Sequence, residues 1–277
     1  MDHLVIKRPD FNMAKDCLNA LRKLDLKYLL IQKFFSNEEL NSIYRDLSDI
    51  PAPLFTTAIP GYRIFPRVAF NPTNREENMD IYFATSAEGT NNLKKFISVD
   101  VARRFKEVFH EVGNDPSVSV MVGPGNDTKF IPANFRFMSP ETGAKGTSHI
   151  HKDSNITIHY LNSVYKHLKG LMDFENQLSF FCLIQNCTEG GDLTIYDFKH
   201  DQDPALTDNS YFNLPENKVE IETKRKKSVI HMNPGDLIIF NGGQLWHKVE
   251  VVQKGERITL GGFVASRYDD NIWHYWV

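Results

Sequence analysis

The chain has 277 residues, enough for two average domains or for one large β-barrel or sandwich domain. Its contents of hydrophobic residues (41%) and charged residues (24%) are those of an ordinary globular protein, and they exclude wholesale disorder, collagen and a coiled coil. The net charge of -3 removes the electrostatic case for a protein that binds nucleic acid or anionic membranes, so a small-molecule substrate is expected.

Residues 1–115 predict a helix-rich amino-terminal part. A short apolar strand at residues 28–31 precedes the capping box Ser36-Asn37-Glu38-Glu39, which starts a helix that runs towards Ile50. Asp100 precedes a second helix, one face of which is apolar and is expected to pack on a sheet. That face consists of Val101, Phe105, Val108, Phe109 and Val112.

After Gly113, short β-branched and aromatic runs alternate with Gly, Pro, Asn and Asp, a pattern typical of an antiparallel sandwich or barrel. A helical stretch at residues 164–174 interrupts these runs. Residues 198–217 form a long polar segment, interpreted as a loop that sets substrate specificity. The predicted strands are residues 117–122, 134–138, 147–152, 177–185, 192–197, 218–222, 228–232, 237–241, 247–252 and 257–265.

The amino terminus and the cysteines indicate the expected cellular compartment. The amino terminus is charged from its second residue and lacks the apolar core of a secretory signal. The three cysteines, Cys17, Cys182 and Cys187, form no CxxC pair, which argues against a disulfide framework or a zinc knuckle. We therefore expect a cytoplasmic protein without membrane contact, either a monomer or a homodimer.

Two of the ten histidines have the neighbours of a metal ligand. In His151-Lys152-Asp153, residues i and i+2 of a strand point to the same face, so an imidazole and a carboxylate can hold one ion. His247 follows a turn, a buried strand and the glycine pair Gly242-Gly243. Two histidines and a carboxylate form the facial triad of non-haem Fe(II) oxygenases, which leaves positions open for a co-substrate and dioxygen. The pattern predicts His151, Asp153 and His247 as the catalytic metal ligands.

An anion seat is predicted downstream of the distal histidine. Arg257-Ile258-Thr259 places a guanidinium fork and a hydroxyl on one face of a strand, an arrangement that suits a carboxylate. A 2-oxo diacid could chelate the iron through its keto-acid end and place its far carboxylate on Arg257 and Thr259.

A different ligand set is also present in the sequence. His149-Ile150-His151 is the H-x-H pair of cupins and would make His149, His151 and His247 a three-histidine site. Cupins also supply a glutamate a few residues further on, and none occurs between His151 and Glu175. This assignment gives Arg257 no role. A cupin-type metalloenzyme without 2-oxoglutarate and a non-catalytic jelly-roll binding protein are therefore the alternative hypotheses.

The sequence resembles the Fe(II)/2-oxoglutarate-dependent dioxygenases, in which H-x-D is followed by a distal histidine and then by R-x-T. Over residues 130–277 it is similar to the carrier-independent branch that includes the hapalindole and welwitindolinone alkaloid halogenases. The segments that carry the similarity are PANFR (132–136), HLK (167–169), QLS (177–179), GGDL (190–193), GDLIIFNGG (235–243), GGF (261–263) and Tyr275-Trp276.

The resemblance implies a mainly β (α+β) fold, in which a double-stranded β-helix (jelly roll) core is covered on one face by amino-terminal helices. The whole chain, 1–277, would be a single catalytic domain with the metal site in residues 116–277. Fe(II) would be the cofactor, 2-oxoglutarate and dioxygen the co-substrates, and succinate and CO2 would be released. Arg136, on a strand that matches the family, is a further candidate for binding 2-oxoglutarate or the substrate.

One residue departs from the family pattern. The halogenases have glycine where this chain has Asp153, and halide binds the iron at the vacated position. The carboxylate favours hydroxylation of an unactivated C–H bond in a small molecule, such as an amino acid, an amino-acid derivative or a natural-product intermediate. Desaturation, cyclisation and halogenation are the alternatives on the same scaffold.

Three residues next to the distal histidine have weaker assignments. Asn241 and Gln244 are candidates for substrate contacts, and Trp246 either shields the metal or fills the core.

Overall fold

The computed structural model describes residues 2–7, 11–67, 79–114, 117–123, 128–145, 149–154, 161, 165–197, 222–268 and 272–277. The predicted loop 198–217 and all but the last residue of the predicted strand 218–222 lie outside this part of the chain. No helix among the described residues is both long enough and apolar enough to span a membrane.

The α-helices of the described chain are α1 (Cys17–Arg22), α2 (Asn37–Ser48), α3 (Met79–Phe96) and α4 (Val101–Val112). The predicted capping box starts α2: the Ser36 hydroxyl accepts a hydrogen bond from the Glu39 amide, and the Glu39 carboxylate accepts one from the Ser36 amide. Asp100 caps α4 by accepting a hydrogen bond from the Arg103 amide. The sequence signals for both helix starts are confirmed.

The described residues contain fifteen strands. They are β1 (Asp2–Lys7), β2 (Leu26–Gln32), β3 (Thr56–Ile59), β4 (Tyr62–Phe65), β5 (Ser117–Val120), β6 (Asn134–Met138), β7 (Leu178–Gln185), β8 (Glu189–Gly190), β9 (Leu193–Tyr196), β10 (Lys227–Ile230), β11 (Leu237–Phe240), β12 (His247–Val249), β13 (Val252–Lys254), β14 (Arg257–Ser266) and β15 (Ile272–Trp276).

Most of these strands form one large sheet in the order β1-β2-β11-β7-β14-β6-β4-β3, and β15 pairs with both β14 and β5. A three-stranded sheet has the order β10-β9-β12, and β13 pairs with β8. The pairs β1–β2 and β5–β15 are parallel, and the other pairs are antiparallel. The fold is thus mixed and strand-rich with a large sheet, as the sequence predicts.

Several predicted elements differ in extent. Residues 149–152 form no strand; His151 makes only an isolated antiparallel bridge with His247. The predicted strand 247–252 is divided between β12 and β13. Within residues 164–174 the described helix is a single 3-10 turn at Lys166–Leu168, because Gly170 adopts a positive φ of 78° soon after it.

The amino-terminal part contains strands as well as helices. β1 to β4 all lie within residues 1–115, and β2 pairs with β11 next to the centre of the large sheet. Composition alone did not reveal β3 and β4, which are short and only partly buried.

The apolar face of α4 packs on the central strand β7. The Phe180 ring centroid lies 4.7 Å from that of Phe105 and 4.9 Å from that of Phe109, and all three side chains are buried. The neighbouring residues of β7, Ser179 and Phe181, line the cavity described below. Helix packing on one face of β7 therefore supports the wall of the candidate site.

Replacing Phe105 by alanine is expected to lower the free energy of unfolding by about 3–5 kcal/mol, because it opens a cavity between α4 and β7. Urea unfolding followed by circular dichroism measures this change. Lys106→Ala, at an exposed position of the same helix, is the control and is expected to change stability by no more than about 0.5 kcal/mol. Equal losses in the two variants would contradict the packing role of Phe105.

Candidate metal centre

His151, Asp153 and His247 come together in the described structure as a cluster of potential metal ligands. One ligand atom from each residue can be chosen so that all lie within 4.8 Å of one another. Asp153 Oδ1 is 3.7 Å from His151 Nε2, and Asp153 Oδ2 is 3.4 Å from His247 Nε2. All three side chains are buried. The three residues predicted from the sequence are therefore in one place.

Backbone hydrogen bonds hold the three residues in register. The His151 amide donates to the His247 carbonyl over 2.9 Å, and the His247 amide donates to the His151 carbonyl over 3.0 Å. The Asp153 amide donates to the carbonyl of Gly242 over 2.8 Å. The segment with H-x-D is therefore fixed to both ends of the turn that leads from β11 to β12.

The ring orientation of both histidines leaves Nε2 facing the cluster. Nδ1 of His151 lies 2.9 Å from the carbonyl oxygen of His149, and Nδ1 of His247 lies 2.9 Å from that of Leu245. A carbonyl oxygen can only accept, so each Nδ1 carries a proton, and Nε2 is the ring nitrogen of each histidine that is turned towards the cluster. This is how protein imidazoles are usually prepared to bind a metal.

The charge state of the cluster also suits a cation. Burial, together with His247 beside it, lowers the pKa of His151 to about 3, so this imidazole is neutral at pH 7. Burial acts to raise the pKa of Asp153, but His247, His151 and a hydrogen bond from Ser179 outweigh it and hold that pKa well below its usual range. The cluster thus offers a neutral imidazole and an ionised carboxylate.

The Asp153 carboxylate is held by Ser179 and Gly242, to which the sequence analysis assigned no role at the metal. The Ser179 hydroxyl donates to Asp153 Oδ2. Gly242 lies against both residues, since a Cβ atom there would overlap Ser179 Oγ and come within 2.5 Å of Asp153 Oδ2. The Ser154 hydroxyl donates to the Gly243 carbonyl over 2.5 Å. Gly242 is therefore needed for close approach to the carboxylate.

Asn241 holds this glycine turn to helix α1. Its fully buried side chain donates to the carbonyls of Leu21 and Arg22, each over 3.2 Å, and accepts from the Gln244 amide over 2.9 Å. The Gln244 side chain donates to the Glu175 carbonyl. The interpretation of Asn241 as a substrate contact is wrong, because its amide is fully used inside the protein.

Arg257, Thr259 and Arg136 line the same cavity as the metal cluster. Thr259 on β14 pairs with Arg136 on β6. Arg257 is 4% exposed and stacks on the Phe181 ring, with 5.1 Å between the guanidinium carbon and the ring centroid. Burial lowers the pKa of Arg257 to about 10, and Arg136 nearby acts in the same direction. The apolar lining consists of Met138, Phe180, Phe181, Leu193, Phe240, Val249 and Phe263.

His149 is adjacent to the cluster but is not part of it. Its ring centroid lies 4.8 Å from that of His151, and its carbonyl oxygen binds the His151 ring. The described ligand cluster contains Asp153 in place of His149. This geometry favours the H-x-D assignment over the three-histidine alternative.

A strand-rich fold that brings two histidines and an aspartate together beside a buried arginine defines a 2-oxoglutarate and Fe(II) oxygenase. Residues 2–277 match the family described as carrier-protein-independent halogenase WelO5. The chain belongs to this family, a branch of the oxygenase superfamily whose cofactors are Fe(II) and 2-oxoglutarate.

Solved structures share the fold. The chain is similar to a novel N-substituted L-amino acid dioxygenase from Burkholderia ambifaria AMMD, with a TM-score of 0.59 and 18% sequence identity over 96% of this chain and 91% of that chain. It is also similar to such a dioxygenase from the same organism in complex with alpha-KG, with a TM-score of 0.55 and 15% identity over 96% and 91% of the two chains. No protein of curated function matches the sequence.

Replacing Ser179 by alanine is expected to weaken metal binding about 10- to 100-fold, because partners that orient a ligand usually contribute that much to metal affinity. Anaerobic calorimetric titration of the apoprotein with Fe(II) measures the change. Ser266→Ala removes a buried hydroxyl from β14, outside the cavity lining, and is expected to leave the affinity unchanged. Unaltered affinity in Ser179→Ala would show that the Asp153 carboxylate needs no such support.

Proposed function

We propose that this protein hydroxylates an unactivated C–H bond of a small molecule, using Fe(II), 2-oxoglutarate and dioxygen. The observation that carries the proposal is Asp153: its carboxylate lies in the ligand cluster, at the sequence position where the family's halogenases have glycine. His151, Asp153 and His247 would hold the metal. The donor set fits Fe(II), since the Nε2 atoms of two histidines lie 3.7 and 3.4 Å from an ionised carboxylate.

Bound iron and 2-oxoglutarate would supply the oxidising power that breaks the C–H bond, with release of succinate and CO2. The protein's own contribution is to position these groups. The backbone bridge between His151 and His247 fixes the two imidazoles, and Ser179 and Gly242 fix the carboxylate. Burial of all three side chains excludes bulk water from the ligand atoms.

Arg257 and Thr259 would bind the far carboxylate of 2-oxoglutarate. In the described part of the chain Arg257 forms no ion pair, and its guanidinium contacts the Phe181 ring. A buried guanidinium without a carboxylate partner is costly, and an anionic ligand would offset that cost. The arginine and the hydroxyl project from the same face of β14.

Arg136 is the second cation of the cavity and would bind the other end of the co-substrate or an anionic group of the substrate. Its Nε donates to Asn134 Oδ1 over 3.0 Å, so its side chain leans along β6 away from Met138. Asn134 pairs with Gly261 of β14, which precedes the cavity residues Gly262 and Phe263. Two guanidinium groups in one cavity match the two carboxylates of 2-oxoglutarate.

The strand arrangement supports a double-stranded β-helix with amino-terminal helices on one face, in a single catalytic domain over residues 1–277. The large sheet carries β7, β14 and β6 of the cavity, whereas β9 and β12 of the three-stranded sheet supply Leu193 and His247 on the other side. A cavity lined by residues of both sheets suits a small-molecule substrate.

Halogenation is the second candidate, and membership of the halogenase family favours it. A halide needs a position on the metal, and in the halogenases the glycine leaves that position vacant. The carboxylate of Asp153 would fill this position here, so hydroxylation is the outcome that the residues of this chain support best.

The co-substrate assignment predicts a weak visible charge-transfer band when 2-oxoglutarate is added anaerobically to the Fe(II)-loaded protein. Arg257→Ala is expected to raise the dissociation constant of 2-oxoglutarate by about 30-fold or more while Fe(II) binding is retained, because one partner of a buried charge pair is lost. Arg63→Ala, which removes a half-exposed arginine paired with Glu256, is the control. Bound iron without any such band would favour the cupin alternative, and no iron binding would leave only a binding scaffold.

The role of Asp153 predicts a difference in halide response. Chloride is expected to leave the charge-transfer band of the wild-type protein unchanged and to shift that of Asp153→Gly, with sulfate at equal ionic strength as the control. Once a substrate is found, mass spectrometry of the product distinguishes a hydroxyl from a chlorine. Full hydroxylation by Asp153→Gly would refute the ligand assignment, and a chlorinated product from the wild-type protein would refute the hydroxylase proposal.

A further inference from the structure

Lys152, between two of the proposed ligands, is buried behind the metal centre. His151 and Asp153 line the cavity, and Lys152 is absent from that lining. Its side chain is 2% exposed, and its ammonium nitrogen lies 5.3 Å from the centroid of the Trp246 ring. An ammonium over an indole face is an attractive contact that strengthens when both groups are shielded from water.

This contact joins the two ligand segments on the side away from the cavity. Trp246 is fully buried and directly precedes His247, and Lys152 directly follows His151. The backbone bridge between the two histidines therefore has the lysine on one segment and the tryptophan on the other. Any drift of one segment relative to the other would break the contact between the ammonium and the indole.

A second buried lysine, Lys248, differs from Lys152 in the groups that surround its positive charge. Lys248, directly after His247, lies 2.6 Å from a Glu222 oxygen and 3.0 Å from a Glu250 oxygen. Lys152 is instead balanced by the aromatic face, with Glu175 as the acidic group that attracts it. Within the described residues, the positive charge of Lys152 is therefore less compensated than that of Lys248.

We propose that Lys152 is a positioning residue of the metal centre, which aligns the two histidine segments through Trp246 and favours the ferrous over the ferric ion through its charge. A fixed cation near the metal repels the trivalent ion more strongly than the divalent one. This role rests on the proposed function only in taking the bound metal to be iron.

The test measures the ferric/ferrous midpoint potential and the Fe(II) affinity of the purified, iron-loaded protein without substrate. Lys152→Met keeps most of the side-chain length and removes the charge, so it is expected to lower the potential. It is also expected to weaken Fe(II) binding about tenfold, because the loss of alignment through Trp246 outweighs the relieved repulsion. Lys152→Arg keeps the charge and is expected to restore the wild-type potential. An unchanged potential in Lys152→Met, or a lowered one in Lys152→Arg, would overturn the proposed role of the charge.

Lys27→Met is the matched control, because Lys27 is also buried but pairs with Asp197 and Ser228 on the other side of β9. It is expected to lose stability without a shift in potential. If Lys152→Met does not fold, Trp246→Phe serves instead: it keeps a ring of smaller size, and the absorption spectrum of the Co(II)-substituted protein reports ligand geometry. An altered Co(II) spectrum supports alignment through Trp246, and a wild-type spectrum overturns it.

These measurements separate the two proposals. Potential, metal affinity and the Co(II) spectrum are recorded without 2-oxoglutarate or turnover, so a negative result leaves the oxygenase assignment intact. Conversely, if the protein oxidised no substrate, a shifted potential in Lys152→Met would still support the role of Lys152, because the potential is measured without turnover.

Discussion

The metal centre depends on two backbone hydrogen bonds that join His151 to His247. Residues 149–152 form no regular strand, so sheet pairing does not hold the H-x-D segment over its length. The bridge sets His151 opposite His247, and the bond from the Asp153 amide to the Gly242 carbonyl sets the third ligand. Side-chain geometry follows from these contacts, since each Nδ1 then meets a carbonyl of its own segment.

The second constraint is electrostatic. The cavity contains the Asp153 carboxylate and the Arg257 guanidinium, both buried, among aromatic and aliphatic side chains. Buried charges destabilise a fold unless they are paired or hydrogen-bonded. Asp153 receives the Ser179 hydroxyl, whereas Arg257 has only the Phe181 ring in the described part of the chain. The cavity therefore contains a buried carboxylate that suits a cation and a buried guanidinium that suits an anion.

Local patterns predicted the ligands because the residues of each pair are only two positions apart in the sequence. H-x-D and R-x-T each place two side chains on one face, and both pairs line the cavity. His151 and Asp153 share that face although the predicted strand does not form. The backbone bridge to His247 and the hydrogen bond from the Asp153 amide to Gly242 hold them there. Ser179, Gly242 and Asn241 could not be assigned in the same way, since their roles arise from contacts between distant segments. The short strands β3 and β4 were missed for a related reason: β4 pairs with β6 and β3 pairs with β4, and this pairing stabilises them more than their composition does.

Family membership and ligand chemistry bear on different parts of the function. The match over residues 2–277 reflects the fold and the shared cofactors, which many side chains determine together. Whether a halide can reach the metal depends on a single position, where this chain has a carboxylate fixed by Ser179 and by the close approach of Gly242. A carboxylate ligand held by its own hydrogen bond and by its backbone amide would not be readily displaced by a monovalent anion. For this reason the residues around Asp153 carry more weight than the family name in the proposal of hydroxylation.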